Sequence, residues 1–385
     1  MLPSVQSAGS TLPSPAHRGA LGASSLEKWR LPVIDVSPLF REDGRAIEHT
    51  AREIGRAARS TGFLYVSGHG IPDTDIAEVY RQAARFFALP EEQKLRLRVG
   101  SRQHHRGYVP VTDRGLYADE VGNRRYEAFD MGLEISADDP DTRDSFLLGP
   151  NLWPSLPRFR EVLSGYYGAI SRLAARLCLA FELDLGLTPG FFAERMRKPT
   201  SQLRLIHYLK NGTPTSESDM NMGAHTDYEC FTILHQSERG LQVMDLEDNW
   251  LQVPPIPGTF VINIGDMLEA WTNGVYSSTP HRVVNNGRER FSIPFFAAAD
   301  QNVIVEPLPQ FVSDERPAAY QTLVAGDHLL SQMVRDFSYM RERIKTGQMP
   351  ARLLPTAAAS SFELRRPMGP GSGRSVADWN AHASA

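Results

Sequence analysis

The sequence predicts a mainly β protein with flanking helices, and three observations lead to this class. Short β-like runs separated by turns fill the stretch from Ser201 to Asp300, which is typical of a sandwich or a barrel. One long helical pattern, residues 156–185, precedes that stretch. Strand and helix patterns alternate before it, which predicts an N-terminal α/β region.

The N-terminal region can be followed element by element. LPVIDVSPLF (31–40) predicts a short buried strand and a turn, and residues 44–60 have helical spacing of apolar positions. GFLYVSGHGIP (62–72) predicts a strand that ends in a turn, and a helix over 73–87 follows it. RGYVPV and YEAFDMGLEI are candidate strands in an otherwise irregular stretch.

The second half begins with the long helix, which Gly186 and Pro189 end. The β-like runs after it include LRLIHYL, CFTILHQ, GTFVINIG, HRVV and RFSIPFFAAA. Helical spacing returns over 318–346, which predicts a helix C-terminal to the β core.

Composition narrows the possible classes of function. The chain has 385 residues, a formal net charge of −4 and 41% hydrophobic residues, so it has the composition of a globular protein and gives no reason to expect a nucleic-acid partner. No apolar run is long enough to span a membrane. Two isolated cysteines, Cys178 and Cys230, predict reduced core thiols and a cytoplasmic location. The oligomeric state cannot be predicted from the sequence.

Composition and pattern also divide the chain into four parts. Residues 1–28 are predicted to be a disordered leader because they are rich in Ser, Pro, Ala and Gly. Residues 29–150 are predicted to form the α/β region, and residues 151–350 the β core with its flanking helices. Residues 351–385 have the composition of a disordered tail.

A candidate metal site begins in MGAHTDYECFTILHQ, residues 222–236. His225 and Asp227 are two positions apart at the head of a predicted strand. Because strand side chains alternate between faces, both should point to the same side and offer one nitrogen and one oxygen ligand. Such a pair alone is a weak signal, and a third ligand is needed.

The third ligand is predicted in SSTPHRVVNNGRERFSIPFF, residues 277–296. HRVV and ERFSIPFF are β-like, and Asn286-Gly287 between them is a strong hairpin signal. A two-residue loop there would place His281 opposite Ser292, and Val283 opposite Arg290. Arg290 and Ser292 would then share one face near His281.

Two histidines and one carboxylate occupy one face of an octahedron and leave three positions open, as in non-heme Fe(II) oxygenases. An arginine with a neighbouring hydroxyl is suited to bind a carboxylate. Together the two groups suggest a 2-oxo acid cosubstrate, with the keto acid at two iron positions and O₂ at the third.

With these motifs the sequence resembles the 2-oxoglutarate/Fe(II)-dependent dioxygenases, in their isopenicillin N synthase-like branch. The resemblance is carried by H-x-D at 225–227, STPHRV around His281 and R-x-S at 290–292. It extends over about residues 31–346, including ARSTGFLYVSGHGIP, RGYVP and YEAFDMG. The fold that it implies is a double-stranded β-helix, or jelly roll, with the long helix packed outside.

The resemblance also implies roles for individual residues. His225, Asp227 and His281 would hold Fe(II), and Arg290, Ser292 and Tyr208 would bind the distal carboxylate of 2-oxoglutarate. Plant members carry an Asn where this chain has Ile206, which removes one polar contact. Since His207 is adjacent to Tyr208, it is expected to face away from the site. The residues proposed for contact with substrate are His104, Tyr108, Glu127, Phe129, Met131, Tyr228 and Phe231.

The resulting hypothesis is an enzyme that uses Fe(II), 2-oxoglutarate and O₂ to oxidise a small organic molecule, with release of succinate and CO₂. Hydroxylation, desaturation and cyclisation are all compatible with the ligand set. An iron oxidase like isopenicillin N synthase is the alternative, with Arg290 and Ser292 binding the substrate's own carboxylate and no keto acid. A non-catalytic protein that keeps the fold and a hydrolytic zinc site are weaker alternatives.

Overall fold

The structure is a computed structural model that describes residues 31–111, 126–210, 220–245 and 247–354. The predicted leader, 1–28, lies outside the described residues, as does the predicted tail from residue 355 onward. Residues 351–353 form a turn of 3-10 helix in which Leu353 is buried.

The regular elements are labelled in chain order. The strands are β1 (Val33–Asp35), β2 (Phe63–Ser67), β3 (Gly107–Val109), β4 (Tyr126–Gly132), β5 (Gln202–Tyr208), β6 (Met220–His225), β7 (Phe231–Gln236), β8 (Leu241–Met244), β9 (Trp250–Gln252), β10 (Phe260–Ile264), β11 (His281–Val284), β12 (Arg290–Ala297), β13 (Ile304–Val305) and β14 (Leu323–Val324). The α-helices are α1 (Gly44–Ser60), α2 (Asp73–Phe87), α3 (Glu91–Leu95), α4 (Phe159–Leu185), α5 (Phe191–Arg195), α6 (Asp266–Trp271), α7 (Ala325–Asp336) and α8 (Ser338–Lys345).

Local sequence explains the bounds of the first two helices, which coincide with the predicted 44–60 and 73–87. The side chain of Asp43 accepts from the backbone N–H groups of Arg45 and Ala46 at 3.1 and 3.3 Å and so caps the start of α1. Pro72 precedes α2, whose first turn carries Asp73 and Asp75, where the helix dipole favours negative charge.

Two large sheets enclose a cavity, and β13 and β14 form a separate two-stranded sheet. Within the described residues the larger sheet has the order β1-β2-β10-β7-β12-β5-β4-β3, and the smaller sheet has the order β6-β11-β8-β9. All pairs are antiparallel except β1 with β2. Side chains from both sheets line the cavity between them. The predicted mainly β fold with flanking helices and a jelly-roll core is confirmed.

Helix α4 covers the outer face of the larger sheet. The ring of Phe181 packs edge-on against Phe231 with centroids 5.2 Å apart, and Tyr167 packs against Phe295 at 5.4 Å. The helix ends at Gly186, which adopts a left-handed conformation, as the sequence predicted. None of the helices in the described residues has the length and apolar composition that a bilayer crossing requires.

The predicted hairpin between β11 and β12 is wrong. β11 pairs with β6 and β8 in the smaller sheet, whereas β12 pairs with β5 and β7 in the larger sheet. The turn at Asn286-Gly287 is present, with a positive φ of 73° at Gly287, but it carries the chain from one sheet to the other. His281 therefore lies opposite His225 and Val243 rather than opposite Ser292.

The strand that was predicted to carry both His225 and Asp227 is interrupted. β6 ends at His225, and β7 begins only at Phe231. Asp227 lies in the intervening turn, where its carbonyl oxygen accepts from the N–H of Asp266 at 2.9 Å. The face of Phe231 consequently cannot be inferred by counting from His225.

Candidate active site

The cavity between the two sheets has a volume of about 290 Å³. His225 and His281 line its wall on the smaller sheet, Arg290 and Ser292 line it on the larger sheet, and Asp227 lines it from the turn between β6 and β7. Residues of α7, among them Leu329 and Met333, complete the wall at one end. The sheets thus bring the proposed iron ligands and the proposed carboxylate-binding residues to one space.

The two histidines are cross-strand neighbours, and Asp227 approaches both. His281 on β11 is paired with His225 on β6, and their ring centroids are 4.3 Å apart. Asp227 Oδ1 is 3.8 Å from His225 Nε2 and 3.6 Å from His281 Nε2. The donor atoms of the three residues lie within 4.8 Å of one another, which is suitable for binding one metal ion.

Contacts behind the three side chains orient their donor atoms. His225 Nδ1 donates to the carbonyl oxygen of Gly223 at 2.8 Å, and His281 Nδ1 faces that of Thr279 at 3.3 Å. The Nε2 lone pairs are thereby directed toward the common point. Asn263 Nδ2 donates to Asp227 Oδ2 at 2.7 Å, and the Thr232 hydroxyl donates to the same oxygen.

The charge state of Asp227 suits a cation. Burial acts to raise the pKa of its carboxyl group, but His281, His225 and the hydrogen bonds from Asn263 and Thr232 together hold the pKa below its usual value. A buried carboxylate facing two imidazole nitrogens is the donor set expected for Fe(II) or a similar divalent ion.

A second cluster forms around Arg290, which is 3% exposed. Its guanidinium lies over the ring of Tyr208 with 4.2 Å between Cζ and the ring centroid, and the Ser292 hydroxyl is 3.4 Å from the Tyr208 hydroxyl. Burial raises the pKa of the Tyr208 hydroxyl, so it remains protonated at neutral pH and is able to donate. These three groups offer donors to a single carboxylate.

The contacts that hold the guanidinium of Arg290 were not predicted, and they begin with Asn286 Oδ1 and the carbonyl oxygen of Val284, which accept from Nη1 and Nη2 at 2.8 and 2.9 Å. Asn221 accepts from Nη1 and Nη2 of Arg290 at 3.1 and 2.8 Å in the amide orientation that satisfies both side chains. Gly240 leaves room for the guanidinium, because a Cβ atom at this position would lie only 2.9 Å from Nη2. No short motif marks Asn221 or Gly240, and only the folded sheets bring them to Arg290.

An ion pair between Arg204 and the buried Asp130, which was not predicted, lies at the end of the cavity near α7. Arg204 lines the cavity and donates through Nε and Nη2 to the two carboxylate oxygens of Asp130, at 2.6 and 2.9 Å. Asp130 Oδ2 also lies 2.9 Å from His105 Nε2, and His105 Nδ1 lies 2.6 Å from the Tyr339 hydroxyl. Alternation could have revealed Arg204, since it is four positions from Tyr208 and shares its strand face.

Six of the seven predicted substrate residues do not line the cavity, and four of these six lie together on the outer side of β3 and β4. Glu127, Phe129 and Met131 lie on the outer face of β4, where Phe129 packs against Phe86 and Phe159. Tyr108 donates to Glu127 Oε2 at 2.5 Å on the same side. The prediction assigned these alternate residues of β4 to the cavity side, whereas they point to the outer side. Since neighbouring positions on a strand point to opposite faces, a shift of one position reverses the whole set.

The remaining three predicted substrate residues divide. Tyr228 lines the cavity next to Asp227. Phe231 is fully buried against Phe181 of α4 and does not line the cavity. His104 does not line it either, and its Nε2 lies 3.3 Å from the carbonyl oxygen of Thr142. His105, its neighbour, reaches inward to Asp130 instead.

The jelly-roll fold and a two-histidine, one-carboxylate cluster beside a buried arginine define a class of protein, the mononuclear non-heme iron oxygenases. Comparisons with known proteins agree with this class. Residues 31–156 match the family model described as "non-haem dioxygenase in morphine synthesis N-terminal". Residues 199–299 match the model of the 2OG-Fe(II) oxygenase superfamily.

Curated relatives and solved structures point to the same family. The chain is 34% identical to homoarginine-6-hydroxylase 2-ODD-C23 of Glycine max, over 80% of this chain and 97% of that protein. It is 34% identical to the 2-oxoglutarate-Fe(II) type oxidoreductase hxnY of Emericella nidulans, over 77% of this chain and 87% of that protein. A full-length Neurospora crassa protein, solved in complex with alpha-KG and thymine, is 25% identical with a TM-score of 0.68. The match covers 79% of this chain and 96% of that protein.

The chain belongs to the 2OG-Fe(II) oxygenase superfamily. It is a non-heme Fe(II) dioxygenase that depends on 2-oxoglutarate and O₂ and oxidises small molecules. Fe(II) supplies the redox chemistry when it is bound, and the residues of the chain hold the ion, orient the cosubstrate and select the substrate.

Proposed function

We propose that His225 Nε2, Asp227 Oδ1 and His281 Nε2 hold Fe(II), and that Arg290, Ser292 and Tyr208 bind the distal carboxylate of 2-oxoglutarate. The single observation that carries this assignment is the meeting of the three donor atoms within 4.8 Å beside the buried Arg290. We place the protein in the isopenicillin N synthase-like branch, in line with the N-terminal family model over residues 31–156. A cytoplasmic location fits two buried free thiols, Cys178 and Cys230.

The substrate that best suits the cavity is a compact polar molecule that presents a carbonyl or carboxylate oxygen to Arg204. Asp130 accepts from Nε and Nη2 and so fixes the guanidinium, and Arg204 lines the cavity, where it can meet a substrate oxygen. Homoarginine, in the name of one relative, and thymine, bound in one solved structure, are polar molecules of this size. Their cases support the class of substrate and not a particular compound.

Anaerobic loading with Fe(II) tests the assignment of the iron and cosubstrate residues. Addition of 2-oxoglutarate should produce the weak visible absorption band of a chelated keto acid in the natural protein. His225→Ala should abolish the band, and Arg290→Ala should require far more keto acid to reach it. A natural protein that holds iron but forms no band would contradict the assignment and favour the oxidase alternative.

The substrate proposal has a separate test. Candidate polar molecules are screened for their ability to accelerate succinate formation by the natural protein and by Arg204→Leu. A molecule that stimulates only the natural protein identifies Arg204 as its ligand. Equal stimulation of both proteins would remove Arg204 from substrate binding, and would leave the iron and cosubstrate assignments untouched.

A further inference from the structure

A row of charged and polar side chains lies on the outer face of the larger sheet, directly behind the residues proposed to bind 2-oxoglutarate. Tyr126, Tyr208 and Arg290 are cross-strand neighbours on β4, β5 and β12 and face the cavity. The next row along these strands begins with Glu127 and His207, which point the opposite way. The two rows are separated by a single peptide unit on each strand.

His207 joins two carboxylates across this outer face. Its Nδ1 lies 2.9 Å from Glu127 Oε1, and its Nε2 lies 2.8 Å from Glu289 Oε1. Along the chain, Glu127 directly follows Tyr126, His207 directly precedes Tyr208, and Glu289 directly precedes Arg290. Each of the three residues in this chain of contacts is therefore covalently next to a residue of the inner row.

The outer row is also anchored to the N-terminal region. Lys94 on α3 donates from Nζ to Glu127 Oε2 at 2.5 Å and to the carbonyl oxygen of Phe87 at 3.1 Å. Lys94 and Glu127 are 7% and 4% exposed, so solvent screens this ion pair little. Burial acts to raise the pKa of Glu127, but the hydrogen bonds from His207, Lys94 and Tyr108 hold it below the usual value.

The ring of His207 is fixed from the side as well. It stacks on Phe291 with ring centroids 4.7 Å apart and an interplanar angle of 10°, and Phe87 packs at 5.2 Å. Phe291 belongs to β12 and lies between Arg290 and Ser292. Hydrogen bonds and stacking thus tie the same three strands together at the level of the proposed cosubstrate site.

We propose that Lys94, Glu127 and His207 are positioning residues for 2-oxoglutarate, and this inference rests on the assignment of Arg290, Ser292 and Tyr208 as its carboxylate ligands. The outer row fixes β4, β5 and β12 against one another and against α3. It thereby keeps the donors of the inner row in the positions that a carboxylate with several hydrogen bonds requires. Small displacements of such donors have large effects on binding.

Two variants test the inference in the full-length protein. His207→Phe keeps the stack on Phe291 and removes both polar contacts, and Glu127→Gln keeps the shape of the side chain and weakens its contacts with Lys94 and His207. The affinity for 2-oxoglutarate is titrated through the visible band of the anaerobic Fe(II) protein, and Fe(II) affinity and thermal unfolding are measured separately. We expect the Kd for 2-oxoglutarate to rise about tenfold with Fe(II) affinity unchanged.

Leu203→Ala is the matched control, because Leu203 is a fully buried residue on the same outer face of β5, four positions from His207. An equal loss of thermal stability in Leu203→Ala without weaker binding of 2-oxoglutarate would support a positioning role. Equally weakened binding in Leu203→Ala would reduce the effect to general stability and overturn the inference.

Arg290→Ala, titrated in parallel, distinguishes a failure of the carboxylate-ligand assignment from a failure of the positioning role. If Arg290→Ala binds 2-oxoglutarate like the natural protein, the assignment of the carboxylate ligands has failed. If Arg290→Ala binds weakly while His207→Phe and Glu127→Gln bind normally, only the positioning role is overturned.

Discussion

Each residue proposed to bind iron depends on a second group that orients it. Nδ1 of His225 and Nδ1 of His281 contact the carbonyl oxygens of Gly223 and Thr279. Oδ2 of Asp227 accepts from Asn263 and Thr232. Because these contacts already hold the side chains in place, the side chains lose little conformational freedom when the metal binds. Groups behind the ligands should therefore contribute measurably to the affinity for Fe(II).

Thr232→Val should weaken Fe(II) binding by about tenfold or more, because it removes a hydrogen bond from the oxygen of Asp227 that does not face the metal. Anaerobic Fe(II) titration measures the change. Thr259→Val is the control. It also deletes a buried hydroxyl, but that hydroxyl donates to the carbonyl oxygen of Ile256, and Thr259 does not line the cavity. Identical Fe(II) affinities for the two variants would contradict the role given to Thr232.

Gly240→Ala should weaken binding of 2-oxoglutarate by about tenfold, because the new methyl group would press on the guanidinium of Arg290. Titration of the visible band provides the measurement. Gly165→Ala is a suitable control, since a Cβ atom there meets nothing within 4 Å. Unchanged affinity in Gly240→Ala would mean that Arg290 can shift without loss of cosubstrate binding.

Among the elements, helix α7 closes one end of the cavity and contains a buried histidine. His328 is 7% exposed, and its Nε2 has no hydrogen-bond partner among the described residues. Burial, with a smaller contribution from Arg335, lowers the pKa of His328 to about 4. The folded protein therefore holds this side chain neutral over most of the pH range.

This pKa predicts how stability depends on pH. The imidazole has a pKa near 6.5 when unfolded, so on acidification the unfolded chain takes up the proton first and folding becomes less favourable between pH 6.5 and about 4. The gap corresponds to about 3 kcal/mol at most. His328→Leu should lose less stability than the natural protein over this range, as measured by urea unfolding at several pH values.

The exposed His49 on α1 supplies the control for this experiment. His49→Leu should leave the pH dependence of the unfolding free energy as it is in the natural protein, because His49 is exposed and its replacement removes no buried contact. A His328→Leu variant whose unfolding free energy changes in parallel with that of the natural protein would contradict the buried neutral state.

A hydrogen bond between distant elements links α8 to the ion pair at the cavity. Tyr339 on α8 contacts His105, which contacts Asp130 behind Arg204. Tyr339→Phe should increase amide hydrogen exchange in α7 and α8, as measured by mass spectrometry. Tyr167→Phe, which loses a hydrogen bond to the carbonyl oxygen of Ser201, should leave these helices unchanged. Equal exchange in both variants would show that the His105 contact does not hold the helices.

For the whole molecule, ligands that bind only the folded state should raise the melting temperature. Fe(II) together with 2-oxoglutarate at 100 times the Kd should stabilise the protein by about 2.7 kcal/mol. Differential scanning fluorimetry under anaerobic conditions measures the shift, and a chelator should reverse it. Arg290→Ala should respond to Fe(II) but gain little from added 2-oxoglutarate, and a full response of that variant would argue against its assigned role.

The sequence allowed the fold class, α1, α2 and the meeting of the proposed iron and carboxylate ligands to be predicted, because these depend on local periodicity and on short motifs. Most of the residues predicted to contact substrate were wrong. The partner of β11 could not be predicted, since a turn signal at Asn286-Gly287 does not reveal whether the strands on either side remain in one sheet. The inner face of β4 was also assigned incorrectly. Its seven residues, YEAFDMG, are buried on both faces, so alternation of polarity does not distinguish the cavity side from the helix side.

The crossing of the chain between sheets after His281 has a consequence for the choice of cosubstrate. The two histidines proposed as metal ligands lie on the wall opposite the proposed carboxylate receptor, so the spacing of the two stacked sheets, about 10 Å, limits the length of an acceptable keto acid. The distance between the sheets is set by packing throughout the β core, so single substitutions change it little. We expect evolution to have diversified the substrate at the end near Arg204 and α7 while keeping the same five-carbon cosubstrate.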